Sequence, residues 1–167
     1  MENGDFELEG SIDTKNDVDL NLLIKGIKHN FDTFIAFAPV DLIPVLERYN
    51  NAGDIYFNAS IQGAANKGNR PAINATFGAG KAFLENTARA KKIDNMGFNG
   101  HFTNGANRDA STMEFSLTNM KASLEEGEFK GSIIVKNFES PEVDMQVNSN
   151  FNLDFVAEFF ELSLIHI

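Results

Sequence analysis

The chain has 167 residues, of which 43% are hydrophobic, and its formal net charge is −10. An acidic chain without a stripe of Lys and Arg argues against a nucleic-acid partner. The absence of Cys excludes disulfides and thiolate metal sites. The aromatic residues are 16 Phe and two Tyr with no Trp, a composition that suits burial or lipid contact better than polar recognition.

Alternating apolar and polar residues near the start of the chain predict β-strands. Phe6–Ile12 and Asp17–Lys25 alternate on either side of a turn at Thr14–Asn16, which predicts a hairpin. The pattern then changes to helical spacing. Asp32 is a candidate helix start, and the apolar residues of Val40–Tyr49 recur every three or four positions.

The rest of the chain returns to alternation, interrupted by short polar turns. The predicted strands are Gly53–Gln62, Pro71–Phe77, Ala82–Asn86, Met96–Thr103, Met113–Leu117, Met120–Leu124, Phe129–Val135 and Glu142–Asn150. The alternation changes phase near Asn119, which predicts a bulge or a tight turn there. A terminal helix is predicted to start at Asp154. The fold class is therefore mainly β, an antiparallel meander sheet of about ten strands with two or three short helices.

One unit occurs twice, once near each end of the chain. Its first copy comprises Glu9–Ile12, Val18–Leu20 and Asn30–Ala36, and its second comprises Lys130–Ile133, Val143–Met145 and Asn152–Ala157. The offset between the copies changes only in turns, where insertions are tolerated. A repeated strand–turn–strand–helix unit favours a sheet that grows by addition.

The last six residues, Leu162–Ile167, are interpreted as the translation of a transposase adaptor used in sequencing-library preparation. The alternative is a short apolar strand. We therefore expect one incomplete native segment, residues 1–161, followed by a non-native tail at 162–167. The polar start is not a signal peptide, and no apolar run is long enough to span a bilayer.

The residue patterns of catalysis and metal binding are missing. His29, His101 and His166 show no metal-ligand spacing with one another or with carboxylates. Gly78–Lys81 resembles part of a phosphate loop, but the full pattern fails at two positions. We therefore predict no catalytic residue, no metal and no cofactor, and an enzyme is the least favoured class.

The order of elements in the second half of the chain carries a family resemblance. Its blocks are Gly97–Gly105, Ser116–Leu124, Phe129–Phe138, Pro141–Met145 and Asp154–Phe160. In this order they resemble the C-terminal region of AsmA-family proteins, most closely the large AsmA-like proteins of Bacteroidota-type bacteria. The resemblance covers nearly all of residues 6–161. It rests on strands and turns and not on catalytic residues.

The resemblance implies an extended, curled sheet of the repeating β-groove type, whose apolar groove is similar to that of bridge-like lipid-transfer proteins. It implies a periplasmic protein held in the inner membrane by an anchor that is absent from this sequence. Outer-membrane biogenesis and phospholipid transport between membranes are the implied functions. Phospholipid acyl chains and the inner membrane are the implied partners.

Apolar strand residues are the candidates for contact with acyl chains. They are Ile55, Phe57, Phe77, Phe98, Phe102, Phe115 and Ile133. Their contribution would be passive, because apolar side chains replace the contacts that the bilayer provides. The alternative is a structural or protein-binding β-module with a closed core. An open concave apolar surface would distinguish the groove from this alternative.

Overall fold

A computed structural model describes residues 5–15, 18–28, 48–66, 68–125 and 127–161. Within these ranges, eight strands form one antiparallel sheet in chain order, followed by one helix. The elements are β1 (Asp5–Asp13), β2 (Asp19–Lys28), β3 (Asn50–Ala64), β4 (Ala72–Asn86), β5 (Lys91–Thr103), β6 (Glu114–Leu124), β7 (Gly127–Lys136), β8 (Glu142–Ser149) and α1 (Leu153–Phe159). The predicted mainly β meander is confirmed. The helices predicted from Asp32 and over Val40–Tyr49 lie almost entirely outside the described residues, as does Leu162–Ile167.

The predicted strand count is too high because bulges join strands that the pattern separates. Pro71–Phe77 and Ala82–Asn86 belong to the single strand β4, whose pairing with β5 shifts register around Ala82. The two predicted segments around Asn119 likewise form the single strand β6. Asn119 has φ +52°, and the register shifts between Leu117 and Met120. A bulge restores the side-chain phase without ending the strand, so the bulge predicted there is confirmed.

The strands of the repeated unit form the hairpins at the two edges of the sheet. In β1–β2, Ile12 lies opposite Leu20, and in β7–β8, Ile133 lies opposite Met145. These pairs occupy equivalent positions in the two sequence copies, so both hairpins have the same register. The helical part of the first copy lies outside the described residues.

Cross-strand pairing gives the sheet one apolar and one polar face, because residues directly opposite each other project to the same side. One continuous row on the apolar face consists of Leu8, Ile24, Ala59, Ala75, Phe102, Phe115, Val135 and Val143. The adjacent row on the other face consists of Glu7, Lys25, Asn58, Thr76, His101, Ser116, Ile134 and Asp144. With exceptions such as Ile134 and Ile27, the alternation in the sequence therefore persists across the sheet.

Helix α1 covers one end of the apolar face, which we call the capped end. Its Phe155 and Phe159 are buried against Tyr49, Ile93 and Leu124. The helix begins one step earlier than predicted. Asn152 is the N-cap residue, since its side chain accepts a hydrogen bond from the backbone N–H of Asp154 at 2.9 Å. Asp154 instead lies in the first turn, where its negative charge is favourable.

Candidate functional site

The sheet places all seven predicted groove residues on its apolar face. Phe57 lies opposite Phe77, and Phe102 lies opposite Phe115. Ile55 and Phe98 both lie opposite Ala79, from the strands on either side of it. Ile133 lies opposite Leu117, which belongs to the row of Phe57 and Phe77. These residues span β3 to β7 and therefore form one surface, although they are far apart in the sequence.

Phe77 lies at the centre of this surface. Its ring centroid is 6.4 Å from that of Phe98, in an edge-on arrangement, and 6.1 Å from that of Phe115. The ring lies over Gly100, where an added Cβ would overlap with the ring. Gly100 thus gives the Phe77 ring room to lie on the backbone of β5. The sequence alternation did not identify this contact.

Burial decreases across the apolar face from its centre to its edges. Ile55 is 3% exposed and packs with Ala79 and Ala82, whereas the other six predicted residues are half-buried. The exposed fraction rises to 59% at Val143 and 64% at Met145 on β8. The exposed apolar residues at the edges are Leu8, Ile12, Val143, Met145 and Val147. Those of β8 extend the candidate surface beyond the predicted set, and their alternation was visible in the sequence.

Polar contacts fasten the helix at the capped end. The carbonyl oxygen of Phe159 accepts hydrogen bonds from the Tyr49 hydroxyl at 3.1 Å and from the Asn86 amide at 2.8 Å. These donors satisfy a carbonyl that the end of a helix leaves without a partner. Burial raises the pKa of Tyr49 above its ordinary value, so the hydroxyl remains a donor at neutral pH.

An ion-pair group lies at the rim of the capped end. Lys91 contacts Glu125 and also Glu158 of α1, the latter at 3.1 Å. Its hydrogen bonds to these carboxylates raise the pKa of Lys91. Arg89 lies 3.7 Å from Glu161. Such exposed pairs orient the helix but contribute little free energy each.

The polar face has no constellation that points to catalysis. His101 is half-buried between Thr76 and Ser116 of the neighbouring strands. In the described part of the chain, no group of three or more His, Cys, Asp or Glu side chains is placed to hold a metal ion. Nor does any helix among these residues have the length and apolar character to cross a membrane. His29 and His166 lie outside the described residues.

A surface depression lies near the Asn119 bulge, away from the predicted residues. It is lined by Thr118, Asn119, Met120, Lys121, Lys130, Gly131, Ser132, Gln146, Val147 and Asn148. Lys121 and Lys130 lie directly opposite each other there, and Lys130 is paired with Glu128 at 2.8 Å. Val147 in its lining is one of the exposed apolar residues of β8, so the depression adjoins the apolar face.

Comparison with protein-family models, with curated proteins and with solved structures found no match to this chain. The assignment to the AsmA family therefore stays a prediction from the sequence. The feature of the described sheet that points to a function is its uninterrupted apolar face, from the capped end to the exposed side chains of β8.

Proposed function

We propose that this chain is a segment of an AsmA-like periplasmic protein whose apolar face shields acyl chains during phospholipid transport between membranes. In this proposal the parent protein is held in the inner membrane and contributes to outer-membrane biogenesis. The sheet acts without catalysis, by offering apolar contacts along its length. The observation that carries the proposal is the continuity of the apolar row through to β8.

The exposed fractions make this surface suitable for a lipid. Val143, Met145 and Val147 are each more than half exposed, on the same side as Phe102 and Phe115. Exposed apolar side chains in a contiguous group are typical of surfaces that meet another apolar molecule. Removing an acyl chain from water stabilises the complex by about 0.8 kcal/mol for each CH₂ group that is buried.

A closed-core β-module is the second candidate, and the capped end favours it. There α1 seals part of the same face with Phe155 and Phe159, as a helix does in an ordinary two-layer domain. The two candidates differ in what they predict for Phe102 and Phe115. Both rings contact lipid in the first, whereas in the second they serve only to stabilise the fold.

Binding of a fluorescent long-chain fatty acid distinguishes the candidates. The test pair is Phe102→Gln with Phe115→Gln, which removes two facing rings from the apolar face. The control pair is His101→Gln with Ser116→Gln, since these residues face each other on the opposite side of the same two strands. We expect affinity to fall at least tenfold for the test pair and to stay unchanged for the control pair.

Two further measurements complete this experiment. Circular dichroism verifies that both variants keep the β-sheet, so a loss of binding cannot be assigned to unfolding. Native mass spectrometry after exposure to phospholipid vesicles reports lipid on the unmodified protein. Absence of any bound fatty acid or phospholipid on the folded protein would contradict the proposed function and favour the closed-core module.

A further inference from the structure

Within the described part of the chain, β8 is an edge strand, and its side chains are all exposed to solvent. Its pairing with β7 is regular, with no register shift from Lys136–Glu142 to Phe129–Ser149. The backbone N–H of Asn150 donates to the carbonyl of Glu128 at 3.1 Å, so residues of even number face β7 in this ladder. Residues 143, 145, 147 and 149 therefore direct their N–H and C=O groups away from the sheet.

The two edges of the described sheet differ in protection against pairing. Natural proteins block edge strands with charged side chains, proline or irregular backbone. β1 carries Glu7, Glu9 and Asp13 on its polar face, and Gly10 lies at φ +137°. In β8, Met145–Ser149 contains no charged residue and no irregular backbone. The second half of β8 is therefore the less protected edge.

We propose that β8 pairs with β8 of a second copy of this chain, antiparallel and centred on Gln146. In this register Gln146 lies opposite its own copy and Asp144 lies opposite Asn148. On the apolar face Met145 lies opposite Val147. The outward backbone groups of both copies then satisfy each other, and a two-fold axis perpendicular to the sheet keeps the apolar faces on the same side.

The charges of β8 are compatible with self-pairing in this register. Each carboxylate lies opposite a carboxamide, which can donate an N–H: Asp144 opposite Asn148 and Glu142 opposite Asn150. No two like charges face each other across the new strand pair. This interaction surface does not depend on lipid binding, so either proposal can fail without the other.

Pairings that use β1 are less favourable. Antiparallel self-pairing of β1 centred on Glu9 places this carboxylate against its own copy. Centring on Gly10 instead places Glu7 opposite Asp13. Antiparallel pairing of β8 with β1 of another copy, aligned along the whole of both strands, places Glu142 opposite Asp13. It also forms an open-ended array of copies. Like charges directly opposite each other are destabilising.

The strand pair is small, which sets the expected strength of the dimer. Eight residues a side are fewer than the roughly 20–30 of a standard interface. We therefore expect a weak dimer in sedimentation equilibrium of the full chain. The mass should rise from 18.4 kDa towards twice this value between about 1 μM and about 1 mM protein.

Cysteine cross-linking tests the register, because the chain has no Cys of its own. Gln146→Cys places two thiols across the axis in a non-hydrogen-bonded pair, with Cα atoms about 4.5 Å apart. That spacing allows a disulfide. Asn148→Cys is the matched control, since its copy lies about 13 Å away along the strand. We expect Gln146→Cys to form a covalent dimer on mild oxidation, and Asn148→Cys to remain monomeric.

Charge substitutions at Asn148 separate dimer formation from chain stability. Within one chain Asn148 lies opposite Lys130, whereas across the proposed axis it lies opposite Asp144. Asn148→Asp gains an attraction inside the chain but faces a carboxylate in the dimer. We expect its dimer to weaken roughly two- to thirty-fold, because two such pairs form, while its melting temperature does not fall. Asn148→Lys should show the opposite changes.

Three results would overturn the proposal. One is a mass that stays at the monomer value over the whole concentration range. Another is equal cross-linking of the two cysteine variants, which would indicate random collision. The third is a mass that grows beyond the dimer, which would indicate open-ended pairing of β8 with β1.

Discussion

The capped end of the apolar face and its β8 side differ in what lies on the sheet. At the capped end, α1 buries Phe155 and Phe159 to 3% and 0% exposure. On β8, Val143, Met145 and Val147 of the same face are more than half exposed. Both regions come from strands with the same alternation. The comparison shows that alternation determines which side of a strand is apolar, whereas covering that side requires a further element.

The ends of the sheet also use different means to hold their strands. The capped end relies on aromatic burial, with Tyr49 and Phe159 stacked at a centroid distance of 5.0 Å. The opposite end relies on the buried Asn104. Its amide donates to the carbonyl of Pro71 at 2.8 Å and its side-chain oxygen accepts from the N–H of Ile73 at 2.8 Å. Substitutions should therefore have different consequences at the two ends.

The largest effect is expected at the capped end. Phe159→Ala removes the most deeply buried ring and leaves a cavity between Tyr49 and Phe155. The free energy of unfolding in urea should fall by about 3–5 kcal/mol. Phe160→Ala is the control. The Phe160 ring is 44% exposed, so its removal should lower the free energy of unfolding much less. Equal losses for the two variants would contradict the distinction between a sealed and an open part of the face.

At the opposite end, Asn104→Ala should destabilise the chain by about 2–4 kcal/mol. Two partly buried backbone groups, the Ile73 N–H and the Pro71 carbonyl, lose their side-chain partner together. Asn74→Ala is the matched control, since Asn74 is exposed on the adjacent strand. The same urea titration measures both. A loss at Asn104 no greater than at Asn74 would mean that this end does not depend on its polar contacts.

At the centre of the face, Gly100→Ala should cost about 1–3 kcal/mol. The new methyl group would displace the Phe77 ring, and overpacking of this kind destabilises. Gly80→Ala provides the control, because an added Cβ there has open space. The change in melting temperature distinguishes them. Equal melting temperatures would show that Phe77 does not rest on the backbone of β5.

The smallest effect is expected on acidification. Hydrogen bonds from Ser111 and Thr112 lower the pKa of Asp109, and Lys130 lowers that of Glu128. A carboxylate whose pKa is lowered in the folded state stabilises the fold at pH values above its pKa in the unfolded chain. This contribution is lost as pH falls below about 4.5. Asp109→Asn keeps an acceptor but no longer titrates. Its stability should therefore depend less on pH in this range, as measured by urea unfolding at a series of pH values.

The sequence predicted the faces of the sheet better than its long-range polar contacts. Alternation placed Phe57, Phe77 and Phe115 on one side, because a period of two follows from strand geometry alone. Asn86 could not be assigned in this way, since its partner Phe159 lies 73 residues away. At Asn119 the change of phase predicts a bulge or a tight turn, and the bulge lets β6 continue as one strand.

The candidate site was predictable in part. The seven predicted residues share a face, as the cross-strand pairs show, but their degree of exposure depends on which other side chains pack over them. The role of Gly100 could not be predicted from the sequence. A glycine indicates close approach only when the neighbouring residue, here Phe77, is known. The exposed residues of β8 follow the alternating pattern, but alternation does not encode how exposed a side chain is.

A direct test of the acyl-chain groove is photo-cross-linking with a fatty acid that carries a diazirine near the end of its chain. The labelled residues are then mapped by mass spectrometry of peptides from the intact protein. We expect labels on apolar-face residues, above all Phe57, Phe102, Phe115, Ile133 and Met145. Labels confined to the polar face, or no saturable labelling of the folded protein, would contradict the acyl-chain groove.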